Sequence, residues 1–257
     1  MIIIKSEKEI EAMREGGIIL AKIMKEIGES IAPGKSTWKI NKLAEELVFD
    51  NGGKAIFKGY GQESGHPFPA GSCISLNDEV VHGIPKEDRI IHEGDLVKVD
   101  IGMKYKGMIT DMARTFAVGK ISEKAQKLME TTNRCLDLGI DKLKAGNTLG
   151  DYSKAVQKYS EGQGFSVIRA LVGHGVGKEL HEDPYIPNFA SPKSPENKIV
   201  LKEGMTLALE PMLNEGNCNI KLGKDGWTYQ TEDGKLSAHF EDTVVIREDG
   251  AEMLTRV

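Results

Sequence analysis

Two aspartates, Asp100 and Asp111, lie 111 − 100 = 11 positions apart in "LVKVDIGMKYKGMITDMARTF", residues 96–116, each inside a run of strand-forming residues. A turn centred on Tyr105 and Lys106 would set them directly opposite each other. Cβ atoms there are about 4.5–5.5 Å apart, and like charges destabilise the pair. The arrangement implies either a different register or a positive group between the acids. Two further acids, Glu210 in "KEGMTLALEP" and Glu241 in "HFEDTVVI", have similar strand-like surroundings. Four converging buried carboxylates could not all ionise without cations, because like charges raise one another's pKa. A pair of divalent ions removes that conflict, and carboxylates bridging two metals about 3.5–4 Å apart are the usual design of hydrolytic sites. His174, between glycines in "LVGHGVGKELHEDP", adds a neutral ligand, with His181 close behind it. His82, in "EVVHGIP", ends another strand-like run; His66, His92 and His239 carry weaker cues.

Other chemistries find little support. "HEDPY" has Tyr185 where a zinc-protease HExxH needs its second histidine, and "GHGVGK" has the wrong spacing for a P-loop. There is no GxSxG elbow. The 257 residues suffice for one large domain or two small ones, and a net charge of −5 without a basic block makes nucleic acid an unexpected partner. The apolar run after Met1 is three residues, too short for a signal sequence or a membrane span. Cys73, Cys135 and Cys218 are scattered without a CxxC, which fits a reducing cytoplasm.

The elements that must position these acids come twice. Ser6-Glu7-Lys8-Glu9 reads as a capping box, opening a helix with Ile10, Met13, Gly17, Leu20, Met24, Ile27 and Ile31 on one face. "APGKST" breaks it, and a second helix carries Ile40, Leu43, Ala44, Leu47 and Val48 until "DNGG". From Ser122 the plan recurs: a helix through Leu128 and Leu136, a break at "AGNT", and a helix with Tyr152, Ala155, Val156 and Tyr159. Gly34 aligns with Gly146, an offset of 146 − 34 = 112, and Gly94 with Gly204, an offset of 204 − 94 = 110, which sets Asp100 against Glu210. Aligning Thr115 with Thr243 puts Asp111 and Glu241 on the same strand face as their threonines, four and two residues earlier. This reads as a single α+β domain, residues 1–257, of two quasi-equivalent halves (about 1–118 and 119–257). Their hairpins are expected to meet in a central, mainly antiparallel sheet covered on one face by helices.

Together, "VDIG…TDMARTF", "GHGVGKELHEDP", "LKEGMTLALEP", "HFEDTVVI" and "EVVHGIP" resemble the signature blocks of methionine aminopeptidases of the pita-bread fold, in the order Asp, Asp, His, Glu, Glu. The resemblance spans essentially the whole chain. The 210 − 174 = 36 residues between His174 and Glu210 leave no room for a type II insertion, so the bacterial, type I form without an N-terminal extension is implied. It implies two divalent ions (Co, Mn, Fe or Zn) held by Asp100, Asp111, His174, Glu210 and Glu241, with Asp111 and Glu241 shared. Glu210 would shuttle a proton, His181 would stabilise the oxyanion, and His82 would contact the scissile amide. Cys73, Phe68 and Trp227 would wall a methionine pocket. The stretch "GYGQESGHPFPAGSC" departs from the family's tyrosine-rich pattern, with Gly65 and Phe68 where tyrosines are common. The implied reaction is removal of the initiator methionine before a small second residue. Nascent polypeptides are the implied partners and the ribosome the place where they are met. A monomer without membrane or specific nucleic-acid contacts is expected. A proline-specific aminopeptidase of the same fold, or a non-catalytic binding protein on the scaffold, are the alternatives.

Overall fold

The computed structural model describes residues 1–257 except for the side chain of Ser64. The first half runs α1 (Glu7–Ser30), α2 (Thr37–Asp50), β1 (Lys54–Ala55), β2 (Cys73–Leu76), β3 (Glu79–Val81) and the hairpin β4 (Leu96–Tyr105) and β5 (Met108–Ala117). The second runs α3 (Glu123–Ile140), α4 (Leu149–Gly162), β6 (Ser166–Val167), β7 (Gly173–Gly175), β8 (Glu182–Ile186), β9 (Thr206–Leu209) and β10 (Met212–Asn214). It closes with β11 (Ile220–Leu222), β12 (Tyr229–Thr231), β13 (Ser237–His239), β14 (Asp242–Ile246) and β15 (Ala251–Met253). The Pro-containing segment 189–200 is a connection with no buried residue.

Helix starts follow their caps. Ser6 and Glu9 form the expected capping box, Ser36 caps α2 and Ser122 caps α3. The repeat recurs in the main-chain bonds. Gly34 and Gly146 both take positive φ, 85° and 90°. Their N–H groups donate to Ile91 and Leu201 at 2.8 and 3.0 Å. Ser36 bridges Ile90 as Thr148 bridges Val200.

All strand pairings in the two large sheets are antiparallel: β1-β4-β2 with β5 on β4, and β15-β14-β9-β7-β8. Strand periodicity sorts β4 by face. Val97, Val99, Ile101 and Met103 are fully buried against Leu20, Met24 and Ile27 of α1 and Ile40 and Val48 of α2. Each such side chain contributes about 1.5–3 kcal/mol. The alternate residues Lys98, Asp100 and Gly102 therefore face the other way. The second half repeats this packing with Leu128, Leu136, Tyr152 and Val156 against Leu207, Leu209, Val244 and Ile246.

The hairpin register differs from the expectation by one step. The loop is Lys106-Gly107, with φ of 48° and 85°, and Tyr105 pairs with Met108. Two positive φ values mark a type I′ hairpin loop, whose twist matches the strands. Asp100 consequently faces Ala113 and Asp111 faces Gly102, so the aspartates are diagonal neighbours on one face. Glycine stands opposite Asp111 where a carboxylate was expected, and the side chains of Ile56 and Phe57 pack against it: a Cβ on Gly102 would lie 2.8 Å from each.

The central sheet closes where the hairpin meets the second half. Ala113 and Glu241 form an antiparallel bridge. Thr243 Oγ1 donates to the Asp111 carbonyl at 2.8 Å and accepts the Asp111 N–H at 2.9 Å. Thr115 Oγ1 makes the matching pair with His239, donating at 2.7 Å and accepting at 3.0 Å. Each threonine thus replaces missing sheet bonds of the opposite strand. Thr243→Val would leave the buried Asp111 N–H and C=O unpaired, at about 1–3 kcal/mol each. The melting temperature should fall by at least about 4 °C in calorimetry; an unchanged value would show that the seam is held by other contacts.

Candidate metal-binding active site

The local sequence explains how each functional side chain reaches the seam. Asp100 projects from β4 and Asp111 from β5. Glu210 follows β9 directly and Glu241 precedes β14. His174 sits in β7, which lies between β8 and β9 and pairs His174 with Ala208. The flanking glycines make that approach feasible. A Cβ on Gly173 would stand 2.5 Å from the Ala208 carbonyl, and one on Gly175 would stand 2.2 Å from that of Asp183.

All ten residues named from the sequence converge on one cavity of about 510 Å³, counted with its open mouth. One part of its lining is polar: Asp100, Asp111, His174, Glu210 and Glu241, together with His82 and His181. The other is apolar and includes Phe68, Cys73 and Trp227. The indole of Trp227 lies edge-on to Phe68 with ring centroids 5.4 Å apart, and edge-on to His82 at 6.5 Å. Cys73 pairs with Asp100 across β2 and β4, which puts the thiol at the border of the two regions. Burial, then the neighbouring acids, pushes that thiol's pKa well up, so it is a protonated wall rather than a nucleophile.

Four residues were missed or given little weight from sequence. Phe57 and Leu180 extend the apolar wall. Tyr60 stands at the mouth, its hydroxyl 2.5 Å from His181 Nδ1. It comes from the very stretch that departs from the family pattern. The loop folds back so that Gly59 N–H donates to the Phe68 carbonyl and Phe68 N–H to that of Tyr60, at 2.8 and 2.9 Å. Tyr60 and Phe68 are thereby brought together, while Gly65 remains exposed in a turn. His239 is 1% exposed, its Nε2 at 3.9 Å from both Glu210 Oε2 and Glu241 Oε2. It stands four residues before Thr243 as Asp111 stands four before Thr115, a repeat signal that could have found it.

The donor set fits divalent cations. Ligand atoms of Asp111, His174 and Glu241 lie within 4.8 Å of one another. Asp100 Oδ1, Asp111 Oδ1 and Glu241 Oε1 are buried without a hydrogen-bond partner. Unpaired buried acceptors are costly in a native interior and call for an explanation such as an ion. His174 Nδ1 lies 2.9 Å from the Gly175 carbonyl. Donating there leaves Nε2 with a lone pair toward the cavity, 3.7 Å from Glu210 Oε1. Burial, with repulsion from His181 adding to it, draws the His174 pKa down to about 3, so the ring is neutral. Burial raises all four acids; mutual repulsion adds to it at Asp100, Glu210 and Glu241, and Asp111 reaches about 7.

An antiparallel α+β scaffold with a buried Asp/His/Glu cluster of this kind is suited to holding divalent metal. Residues 11–248 match the model of metallopeptidase family M24, and the chain belongs to that family. Divalent metal use follows from that membership. The chain is 44% identical to a methionine aminopeptidase of Clostridium acetobutylicum over 256 residues, 99% of each chain. A crystal structure of a methionine aminopeptidase from Thermotoga maritima superposes with a TM-score of 0.94 at 44% identity, covering 100% of both chains. The prolidase of Pyrococcus horikoshii shares the fold with a TM-score of 0.76 at 25% identity; the likeness covers 99% of this chain and 64% of that one. The pita-bread fold expected from sequence is thus the fold observed.

The acids also set a pH dependence for the metal-free protein. A carboxyl whose pKa is raised on folding binds more protons folded than unfolded. Stability is therefore full below the unfolded pKa and lost as pH rises through the folded one. For Asp111 that window runs from 3.8 to about 7. Chelator-treated protein should melt at progressively lower temperature from about pH 5 to pH 7.5, and added divalent metal should reverse the loss. Asp111→Asn should flatten the slope; a melting temperature that rises across this window without metal would contradict the assignment.

Proposed function

We propose that the protein removes the N-terminal methionine from nascent proteins and peptides, favouring a small second residue, by hydrolysis at a dinuclear metal centre. The observation that carries this is the division of one cavity into an acidic floor and an apolar wall. The full-length likeness to relatives named methionine aminopeptidases supports it. Asp100, Asp111, His174, Glu210 and Glu241 would hold two divalent ions, with Fe(II), Mn(II), Co(II) and Zn(II) all suited to these donors. When bound, such ions polarise a carbonyl and make water acidic enough to act as a nucleophile at neutral pH.

The chain's own groups do the rest. Glu210 is the most accessible of the four acids and its pKa is raised by burial and by Asp111, which suits it to take a proton and return it to the leaving amine. His82 is drawn down to about 4, by burial first and His181 second, so it donates as a neutral imidazole. It would hold the scissile amide. His181, lowered by burial, would face the developing oxyanion. Phe68, Cys73 and Trp227 would grip an unbranched thioether chain, which makes favourable contacts with aromatic rings. The Tyr60–His181 pair narrows the mouth, which favours a small side chain after the bond.

The proposal treats residues 1–257 as one catalytic unit, halves near 1–118 and 119–257, acting as a cytoplasmic monomer on chains emerging from the ribosome. Among the described residues no helix is long and apolar enough to cross a membrane.

Peptides beginning Met-Gly and Xaa-Pro, assayed side by side, test the substrate; turnover of Xaa-Pro alone would sink the proposal. Elemental analysis of gently purified protein should find about two divalent ions per chain. His174→Ala should lose one of them and nearly all turnover. Phe68→Ala should raise KM for Met-Gly peptides about tenfold, the scale of ~1.4 kcal/mol of lost apolar contact, with a smaller change in kcat.

A further inference from the structure

Two residues before Asp100, on the same face of β4, stands Lys98, 1% exposed. Among the described residues it forms no ion pair with a carboxylate, although lysines are almost never fully buried unless paired. Its Nζ donates instead to two main-chain carbonyls, Asn77 at 2.8 Å and Ser237 at 3.1 Å. Burial lowers its pKa to about 7, with Glu79 and Asp78 opposing. Either protonation state has enough hydrogens for two carbonyls, so the contact does not depend on the charge.

The two carbonyls lie on two different arms of the site. Asn77 is in the turn between β2 and β3, five residues before His82. Its carbonyl also accepts the Ser237 N–H at 3.0 Å. Its side chain donates to Asp95 at 2.8 Å and accepts from Leu96 N–H at 3.0 Å. Ser237 opens β13, two residues before His239 and four before Glu241. The strand that carries Asp100 therefore reaches through one side chain to both arms.

We propose that Lys98 is a positioning residue of the catalytic centre, an internal clamp that holds the His82 arm and the His239–Glu241 arm in register with Asp100. This rests on the reading of the cavity as a catalytic metal site. A mere core lysine would support the fold alone, whereas a clamp sets the spacing of ligand-bearing segments. Displacing groups that orient ligands typically costs 10–100-fold in metal affinity or activity.

Lys98→Met keeps the length and apolar stem of the side chain but removes the donor. Calorimetric titration of the chelator-stripped variant should show divalent-metal affinity weakened about tenfold or more. At saturating metal, kcat on a Met-Gly peptide should fall by a similar factor with KM little changed. Lys98→Ala leaves room for a small cation. Ammonium chloride should restore part of its metal affinity and kcat, and the same concentration of tetramethylammonium chloride should not. Metal affinity and kcat within twofold of the parent in Lys98→Met would overturn the proposal, as would an alanine variant indifferent to ammonium. If neither variant folds, with or without ammonium, Lys98 belongs to the support of the fold and the positioning role is rejected. The affinity readout needs no substrate. An inactive parent enzyme on Met-Gly peptides would therefore sink the substrate proposal and leave this one to stand or fall separately.

Discussion

Mutual repulsion among Asp100, Asp111, Glu210 and Glu241 is the constraint on which the rest of this structure depends. Two unit charges about 4 Å apart at an effective dielectric near 20 interact by about 4 kcal/mol. A whole domain is stable by only about 5–15 kcal/mol. Several such repulsions together would consume that margin, so the cluster must hold protons or cations. The scaffold accepts the conflict because each acid sits at or beside a strand whose backbone is fixed independently of the charge. Behind β4 and β5 lies an aliphatic layer from α1 and α2, and behind β9 and β14 an equivalent layer from α3 and α4.

The two halves contribute unequally at their meeting point, and that inequality makes a site rather than a symmetric seam. Thr115 and Thr243 are equivalent in their bonds across the seam. Counting back from each, Asp111 corresponds to His239 and Ala113 to Glu241. A strictly repeated sequence would have put like residues at both places. Here one half offers Asp then Ala and the other His then Glu. The small Ala113 lets Glu241 come close enough to bridge it, and Gly102 opposite Asp111 admits the close packing of Ile56 and Phe57.

Much of this was legible in the sequence where a local rule has a single outcome. The Ser6–Glu9 box, the helix breaks and the even spacing of acid and threonine on a strand each specify one arrangement, and each was observed. That the acids and His174 would lie together was foreseeable because the acids recur at matched positions of two repeated hairpins, and all of them line one cavity. The hairpin register was misjudged because Lys106-Gly107 lacks the Asn or Asp that normally announces a type I′ loop, and one step along a strand changes every partner. Tyr60 was illegible for a different reason. Its place depends on two bonds that close the loop from Gly59 to Phe68, and no periodicity encodes a loop's path. His239 was undervalued because its meaning lies in a contact between halves 128 residues apart, visible only through the matched threonines, 243 − 115 = 128.

Cations of the protein's own lie close to the acids, and their disposition bears on what the site is for. Lys98 is two residues from Asp100 on one strand face, about 7 Å along the chain. Arg114 is next to Ala113 and beside the Glu241 bridge. Lys98 shares the acids' face and does not quench the cluster; Arg114, an odd number of residues from Asp111, points to the opposite face of β5. Lys98 is spent on the Asn77 and Ser237 carbonyls. Arg114 is spent on the buried Asp242, at 2.6 Å, and on the carbonyls of Ala113 and Glu241. Among the described residues no lysine or arginine pairs with any of the four acids. A structural cluster would gain by recruiting Lys98, since a buried charge left without a partner costs about 3–5 kcal/mol. A cluster kept free of internal cations, while such cations are tied down beside it, is arranged to take its positive charge from outside. Exclusion of the protein's own basic groups thus argues for a metal site independently of any likeness to other chains.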